Sequence, residues 1–301
     1  AQMTRRYTAM DKIIFRHETI LLMIVFGIGV VTPLLVLKFG LWRPGITLSI
    51  AITFFCVFSL IPFLKGVNNA LKYDIGYANL YGEIWDAIKS ENEAKAVQGI
   101  LDLESICKGA IKESRKETTS GIIHFLSEIG EKTIDTKFKN ATFYVIKGLK
   151  NIGMGAIEKG FDDTTLLFLT GALGKLRIGA AKNEWKDEAL SATNILEEIG
   201  CKAAKKKLKV TTSKAIEGLK YVASDMEGIE FDSESVQSLC CLGVFATEYL
   251  PSRVDRVIQL LKEFEPRITT DSMIDWEESF VRKYPNLKSS LEEFKRRYKE
   301  G

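Results

Sequence analysis

Leu149-Lys-Asn-Ile-Gly-Met-Gly-Ala156 and Leu196-Glu-Glu-Ile-Gly-Cys-Lys-Ala203 are two copies of one eight-residue phrase set 47 residues apart. The leading leucine recurs more often than that, at Leu103, Leu126, Leu149, Leu173, Leu196, Leu219 and Leu242, with steps of 23, 23, 24, 23, 23 and 23. Three residues after each leucine stands an apolar residue: Ile106, Ile129, Ile152, Leu176, Ile199, Val222 and Phe245. Four after it the residue is small in six of seven units (Cys107, Gly130, Gly153, Gly200, Ala223, Ala246), and Arg177 is the exception. Offsets of 0, 3, 4 and 7 fall on one face of an α-helix, and a small residue there lets a neighbouring helix come close. The unit is too short for a helical hairpin, so each is read as one helix of about 16 residues and a turn of about six. Twelve after the leucine, Phe138, Phe161, Trp185, Leu208 and Phe231 are read as apolar plugs closing the turns.

Two units together span 46 or 47 residues, the length of the helical unit in HEAT and armadillo arrays. With its Leu-x-x-Ile-Gly-x-x-Ala helices, the stretch from about 95 to 250 resembles that α-solenoid class. The resemblance implies stacked antiparallel helices and a groove that takes a peptide or protein partner; it carries no catalytic residues.

Ahead of the repeats lie two uncharged runs, Thr19–Leu37 and Ile46–Leu64, each long enough to cross a hydrocarbon core of about 30 Å. They are read as a two-helix transmembrane hairpin, with Trp42 and Arg43 as interfacial anchors in the connection. The first run is longer than an ordinary signal-peptide core, and a second follows at once. Met3 reads as a natural start, so Ala1 and Gln2 are set aside. Residues 4–18, with Arg5, Arg6, Lys12 and Arg16, form a basic interfacial arm. Basic residues before the first run and after the second place both termini on the cytoplasmic side of the cell membrane. Gly27, Gly29, Thr32 and Pro33 in the first span, and Ser49 and Thr53 in the second, are read as helix packing or, on the sharper reading, pore lining.

The expected organisation is therefore all-α: arm 4–18, hairpin 19–64, connecting helix 65–92, solenoid 93–265 of about seven one-helix units, and a helical cap 266–301. In an antiparallel stack alternate turns share an edge. The turn after Leu196 carries Lys202, Lys205, Lys206, Lys207 and Lys209, and the turn after Leu219 carries Asp225, Glu227, Glu230, Asp232 and Glu234. These are read as solvated turns, or as contacts for anionic lipid headgroups or a partner at the basic edge, a cation at the acidic one, or a second subunit.

A net charge of +3 over 301 residues disfavours a nucleic-acid binder. The five cysteines (Cys56, Cys107, Cys201, Cys240, Cys241) contain no CxxC pair and are read as reduced, buried small hydrophobes. His17 and His124 are far apart, and no HExxH, GxSxG or P-loop pattern occurs; Gly171-Ala-Leu-Gly-Lys-Leu176 has the wrong spacing for phosphate. Asp162-Asp163 is read as an N-cap and Glu197-Glu198 as helix surface. No catalytic residue, cofactor or metal is expected; the expected partners are membrane lipids, further copies of the same chain and a cytosolic protein. Two functions remain open: a membrane-anchored scaffold binding a cytosolic protein at the inner membrane face, or a homo-oligomeric pore gated by its solenoids. The irregular unit containing Arg177 is expected to show a change of curvature or a solvent-facing contact.

Overall fold

The structure, a computed structural model, describes residues 79–224, 233–264 and 270–300, together with 38, 47, 50, 51, 54, 55, 58 and 77. Residues 80–301 form one compact unit and 1–79 another. The repeat-bearing unit thus begins inside the stretch read from sequence as a connecting helix. Most of the hairpin 19–64, including Gly27, Gly29, Thr32, Pro33, Ser49 and Thr53, and the whole arm 4–18 lie outside the described residues. Among the described residues no helix is long and apolar enough to cross a membrane.

After a helical stretch at 79–89 come α1 (Glu93–Lys112), α2 (Lys116–Asp135), α3 (Lys139–Glu158), α4 (Asp163–Lys182), α5 (Lys186–Lys205), α6 (Lys209–Ser224) and α7 (Ser233–Tyr249). Then follow α8 (Val254–Phe264), α9 (Thr270–Lys283) and α10 (Lys288–Glu300). Each repeat unit is one helix, as the 23-residue step predicts, but α1 to α5 have 20 residues each, and most of the turns between them only three. The turns are that short because each does two jobs. Ser114, Lys137, Gly160, Glu184 and Lys207 take φ between 57° and 74°. The residue after each donates its N–H to the carbonyl five residues back: Arg115 to Ala110, Phe138 to Thr133, Phe161 to Ala156, Trp185 to Ala180 and Leu208 to Ala203, at 2.8 to 2.9 Å. This is the Schellman closure. In four of the five the closing residue is already the first acceptor of the next helix, as in Thr142 N–H to Phe138 O (3.0 Å) and Thr212 N–H to Leu208 O (3.1 Å). The exception holds the 24-residue step: after Gly160 and Phe161 one more residue, Asp162, serves as N-cap and accepts from Thr165 N–H at 3.3 Å. Of the plugs, Phe161 is buried while Phe138, Trp185 and Leu208 are only half-buried, because so tight a turn lies at the rim of the stack; Phe231 is outside the described residues.

Packing runs in two layers. Each helix from α1 to α5 packs on its successor and also on the helix two places on, so α1, α3, α5 and α7 stand side by side, as do α2, α4 and α6. The phase leucines form the seam: all seven, from Leu103 to Leu242, are 0% exposed. Burial of each contributes about 1.5–3 kcal/mol. Glycines at the small position act as sockets for the helix two units later. A Cβ on Gly130 would lie 2.5 Å from Leu176, and one on Gly153 2.9 Å from Ile199. At Gly174 the neighbour is backbone, with Gly218 Cα 3.3 Å from the same notional atom, so α4 and α6 meet glycine to glycine. The same two-helix step recurs in polar links. Ala141 N–H of α3 donates to Glu93 of α1 (3.1 Å), and Val210 and Thr211 N–H of α6 donate to Asp163 of α4 (3.2 and 3.0 Å). Phe138 and Leu208, which precede these helices, carry no side-chain acceptor, so the cap comes from the helix two places earlier.

The C-terminal segments close the stack. Phe294 of α10 fills the space over Gly243 of α7, and Leu291, Leu287 and Phe280 are buried with it.

Two substitutions in α4 separate local from packing effects. Gly171, exposed with open space around it, changed to Ala is expected to raise unfolding stability by about 0.5–1 kcal/mol. Gly174→Leu, which must push α6 away, is expected to lower it by about 1–3 kcal/mol; urea denaturation checks both. Asp162→Ala is expected to cost about 1 kcal/mol at neutral pH. The cap bond from the Thr165 backbone holds the Asp162 carboxyl below its usual range. Its contribution is therefore present above the unfolded-state value and lost as pH falls through the depressed folded one, so the two proteins should converge in strong acid.

Candidate functional site

Arg177 occupies the position where a small residue recurs, and it is 1% exposed. The expectation of a solvent-facing contact there is therefore corrected. Its guanidinium donates to the carbonyls of Gly218 (3.0 Å) and Leu219 (2.9 Å) in α6 and to Ser235 Oγ of α7. The paired glycines at 174 and 218 bring the two helices close enough for the side chain to lie across their contact. Arg177 thus joins three helices and is a structural anchor.

The basic turn is real as a surface. Lys205, Lys206, Lys207 and Lys209 are exposed and form no ion pair among the described residues, whereas Lys202 lies 3.4 Å from Glu158. At the acidic turn Asp225, Glu227, Glu230 and Asp232 fall outside the described residues, so the cation reading of that edge does too.

A cleft of about 600 Å³ opens beside the basic turn, between α5, α7 and the junction of α9 with α10. Lys202, Lys205 and Lys283 line it with Tyr249, Tyr284 and Cys201. Glu197 and Glu198 also reach it; Glu197 accepts from Ser238 (2.8 Å) and Glu198 pairs with Lys150 (2.8 Å), as Lys202 pairs with Glu158, so the cleft carries both signs, with Lys205 free of any ion pair among the described residues. Burial raises the Tyr284 phenol above its usual range, so it enters the cleft as a neutral donor. Sequence reading did not find this site, because its walls come from positions separated by more than 80 residues and no spacing links them.

In the cleft wall Cys201 of α5 meets Cys241 of α7 with 3.7 Å between their sulfurs. Cys107 and Cys240 are buried elsewhere, each pushed up to about 12 by burial. All four described cysteines are free thiols, and Cys56 lies outside the described residues. His124 is exposed beside Glu128, at 3.2 Å. Gly171 to Leu176 lies within α4, so its glycines form no loop for a phosphate. Among the described residues no group of three or more His, Cys, Asp or Glu side chains is placed to hold a metal ion.

Fold and packing define the class: an all-α protein of consecutive one-helix repeats in two layers. No protein-family model and no curated protein matches the chain. Among solved structures it is similar to one described as a "Circular tandem repeat protein with novel repeat topology and enhanced subunit contact surfaces", at 16% identity and a TM-score of 0.37. That likeness covers 87% of this chain, which spans 60% of the other's length.

Replacing Arg177 by Ala leaves a void and removes three donated hydrogen bonds, and is expected to cost about 3–5 kcal/mol. Arg177→Lys, whose single nitrogen cannot stand in for both guanidinium nitrogens, should fall between wild type and Ala in chemical denaturation.

Proposed function

We propose that this chain is a membrane-anchored, non-catalytic scaffold: residues 19–64 hold it in the cell membrane as a hairpin, and the helical repeats bind a cytosolic protein. The observation that carries the anchor lies in the second uncharged run. Thr47, Ile50, Ala51, Phe54, Phe55 and Phe58 are helical and exposed, with Ile50, Phe54, Phe55 and Phe58 between 54% and 65% accessible. Their spacing of 3, 1, 3, 1 and 3 makes one continuous face. Four large apolar side chains on one helical face, within a run that carries no charged residue, suit lipid tails.

The binding role rests on the repeat architecture and the basic turn. Stacked helices form an extended rigid surface at small entropic cost. Lys205, Lys206, Lys207 and Lys209, with the lysines of the adjacent cleft, are the residues we assign to an acidic surface on the partner.

Membrane extraction is the first test. The full chain should stay with the membrane pellet after alkaline carbonate washing; release into the supernatant would refute the anchor. Its mass in nanodiscs then separates the scaffold from the pore: a monomer, or an assembly that passes no ions, is expected. A ring that passes ions from loaded liposomes would replace the scaffold reading with the channel.

A further inference from the structure

We propose that Cys201 and Cys241 form an oxidisable dithiol, a modification site that closes a disulfide between α5 and α7 when the protein meets a peroxide. The two sulfurs stand 3.7 Å apart on neighbouring helices of one layer. A disulfide needs about 2.0 Å between sulfurs, so the two must close by about 1.7 Å to bond. The helices are tight at this point for a reason visible in the chain. Gly200 precedes Cys201 and Leu242 follows Cys241, and a Cβ on Gly200 would lie 2.5 Å from the Leu242 side chain. The missing Cβ is what brings the two thiols together. Cys107 and Cys240, by contrast, are buried without a second sulfur at bonding range among the described residues.

Both thiols are nearly buried, Cys201 5% and Cys241 3% exposed, and Cys201 is the one that lines the 600 Å³ cleft, with Cys241 behind it. The hydrogen bond with Cys201, ahead of burial, holds the Cys241 thiol well above its usual range, so it keeps its proton. Cys201 is therefore the sulfur presented to the oxidant and Cys241 the one that resolves the product.

The chemistry balances with hydrogen peroxide. Cys201 gives up its proton, and its sulfur attacks one peroxide oxygen; an S–O bond forms, the O–O bond breaks, and the departing hydroxide takes a proton to leave as water. The Cys241 sulfur then attacks the sulfenic sulfur, forming the S–S bond as the S–O bond breaks. The proton from Cys241 completes a second water. Two thiols lose two electrons in all, and both peroxide oxygens are reduced to the level of water. The new bond ties α7 to α5 in the cleft wall.

The test uses the full chain, reduced, in detergent micelles, and then treated with hydrogen peroxide. Expected is a loss of about 2 Da, the two thiol hydrogens. Peptide mapping should join Cys201 to Cys241, and the oxidised chain should unfold at a higher temperature, a shift reversed by dithiothreitol. Cys201→Ser and Cys241→Ser should each abolish the loss. The proposal is overturned if the mass does not fall, if mapping finds a link through Cys240, Cys107 or Cys56 instead, or if Cys201 accumulates as sulfinic acid unjoined. Retention of the mass loss in either serine variant has the same consequence.

Discussion

A backbone turned to φ near +60° once per repeat is the constraint from which the rest of the helical body follows. At Ser114, Lys137, Gly160, Glu184 and Lys207 the chain stops one helix and, usually within two residues, starts the next. A turn so short leaves no freedom in the angle between successive helices. It also sets the unit at 20 helical residues plus three, which is why one leucine per unit can stay in phase from Leu103 to Leu242. Only one of these five residues is glycine. Four side chains accept a left-handed conformation that costs about 1 kcal/mol each, offset by two backbone hydrogen bonds per turn and by seating the next helix.

From that geometry the two-layer arrangement follows. Helices joined by such turns run back against one another, so the helix two places on is a parallel neighbour at the same height. The glycine sockets at 130 and 153, the caps lent by Glu93 and Asp163, and the ion pairs of Lys150 with Glu198 and Lys175 with Glu131 all span 44 to 48 residues. The structural period is therefore two units, although the sequence period is one. Towards the C-terminal end the register tightens: Glu197 meets Ser238, Gly200 meets Leu242 and Cys201 meets Cys241, at separations of 40 to 42. The cleft and the thiol pair lie where this register differs, with the caps α9 and α10 packed on the last full repeat.

Charge is distributed by the same logic. Where helices touch, carboxylates are taken up by a backbone cap, a hydroxyl or an ion pair, as with Asp163, Glu197 and Glu198. At the turn of 206–208 the chain leaves four lysines exposed. The one cation buried among the described residues, Arg177, is spread over two carbonyls and a hydroxyl. Burying a charge is tolerable only when its hydrogen-bonding capacity is used in this way.

The sequence by itself determined the helical class, the one-helix unit, the buried leucine seam, the sockets at Gly130, Gly153 and Gly200, and the N-cap at Asp162. All of these are local or periodic, and a period of 3.6 within a period of 23 is written in the order of residues. The length of the helices was misjudged because a Schellman turn shared with an N-cap looks, in sequence, like ordinary polar residues; Ser114, Lys137 and Glu184 announce nothing. Arg177 read as an exposed irregularity because its acceptors lie more than 40 residues away. Tertiary structure alone decided the cleft, the thiol pair and the caps supplied from two helices back. Each depends on which neighbour a helix face meets and at what height, and that is set by summed packing over many residues, which no spacing within one segment records.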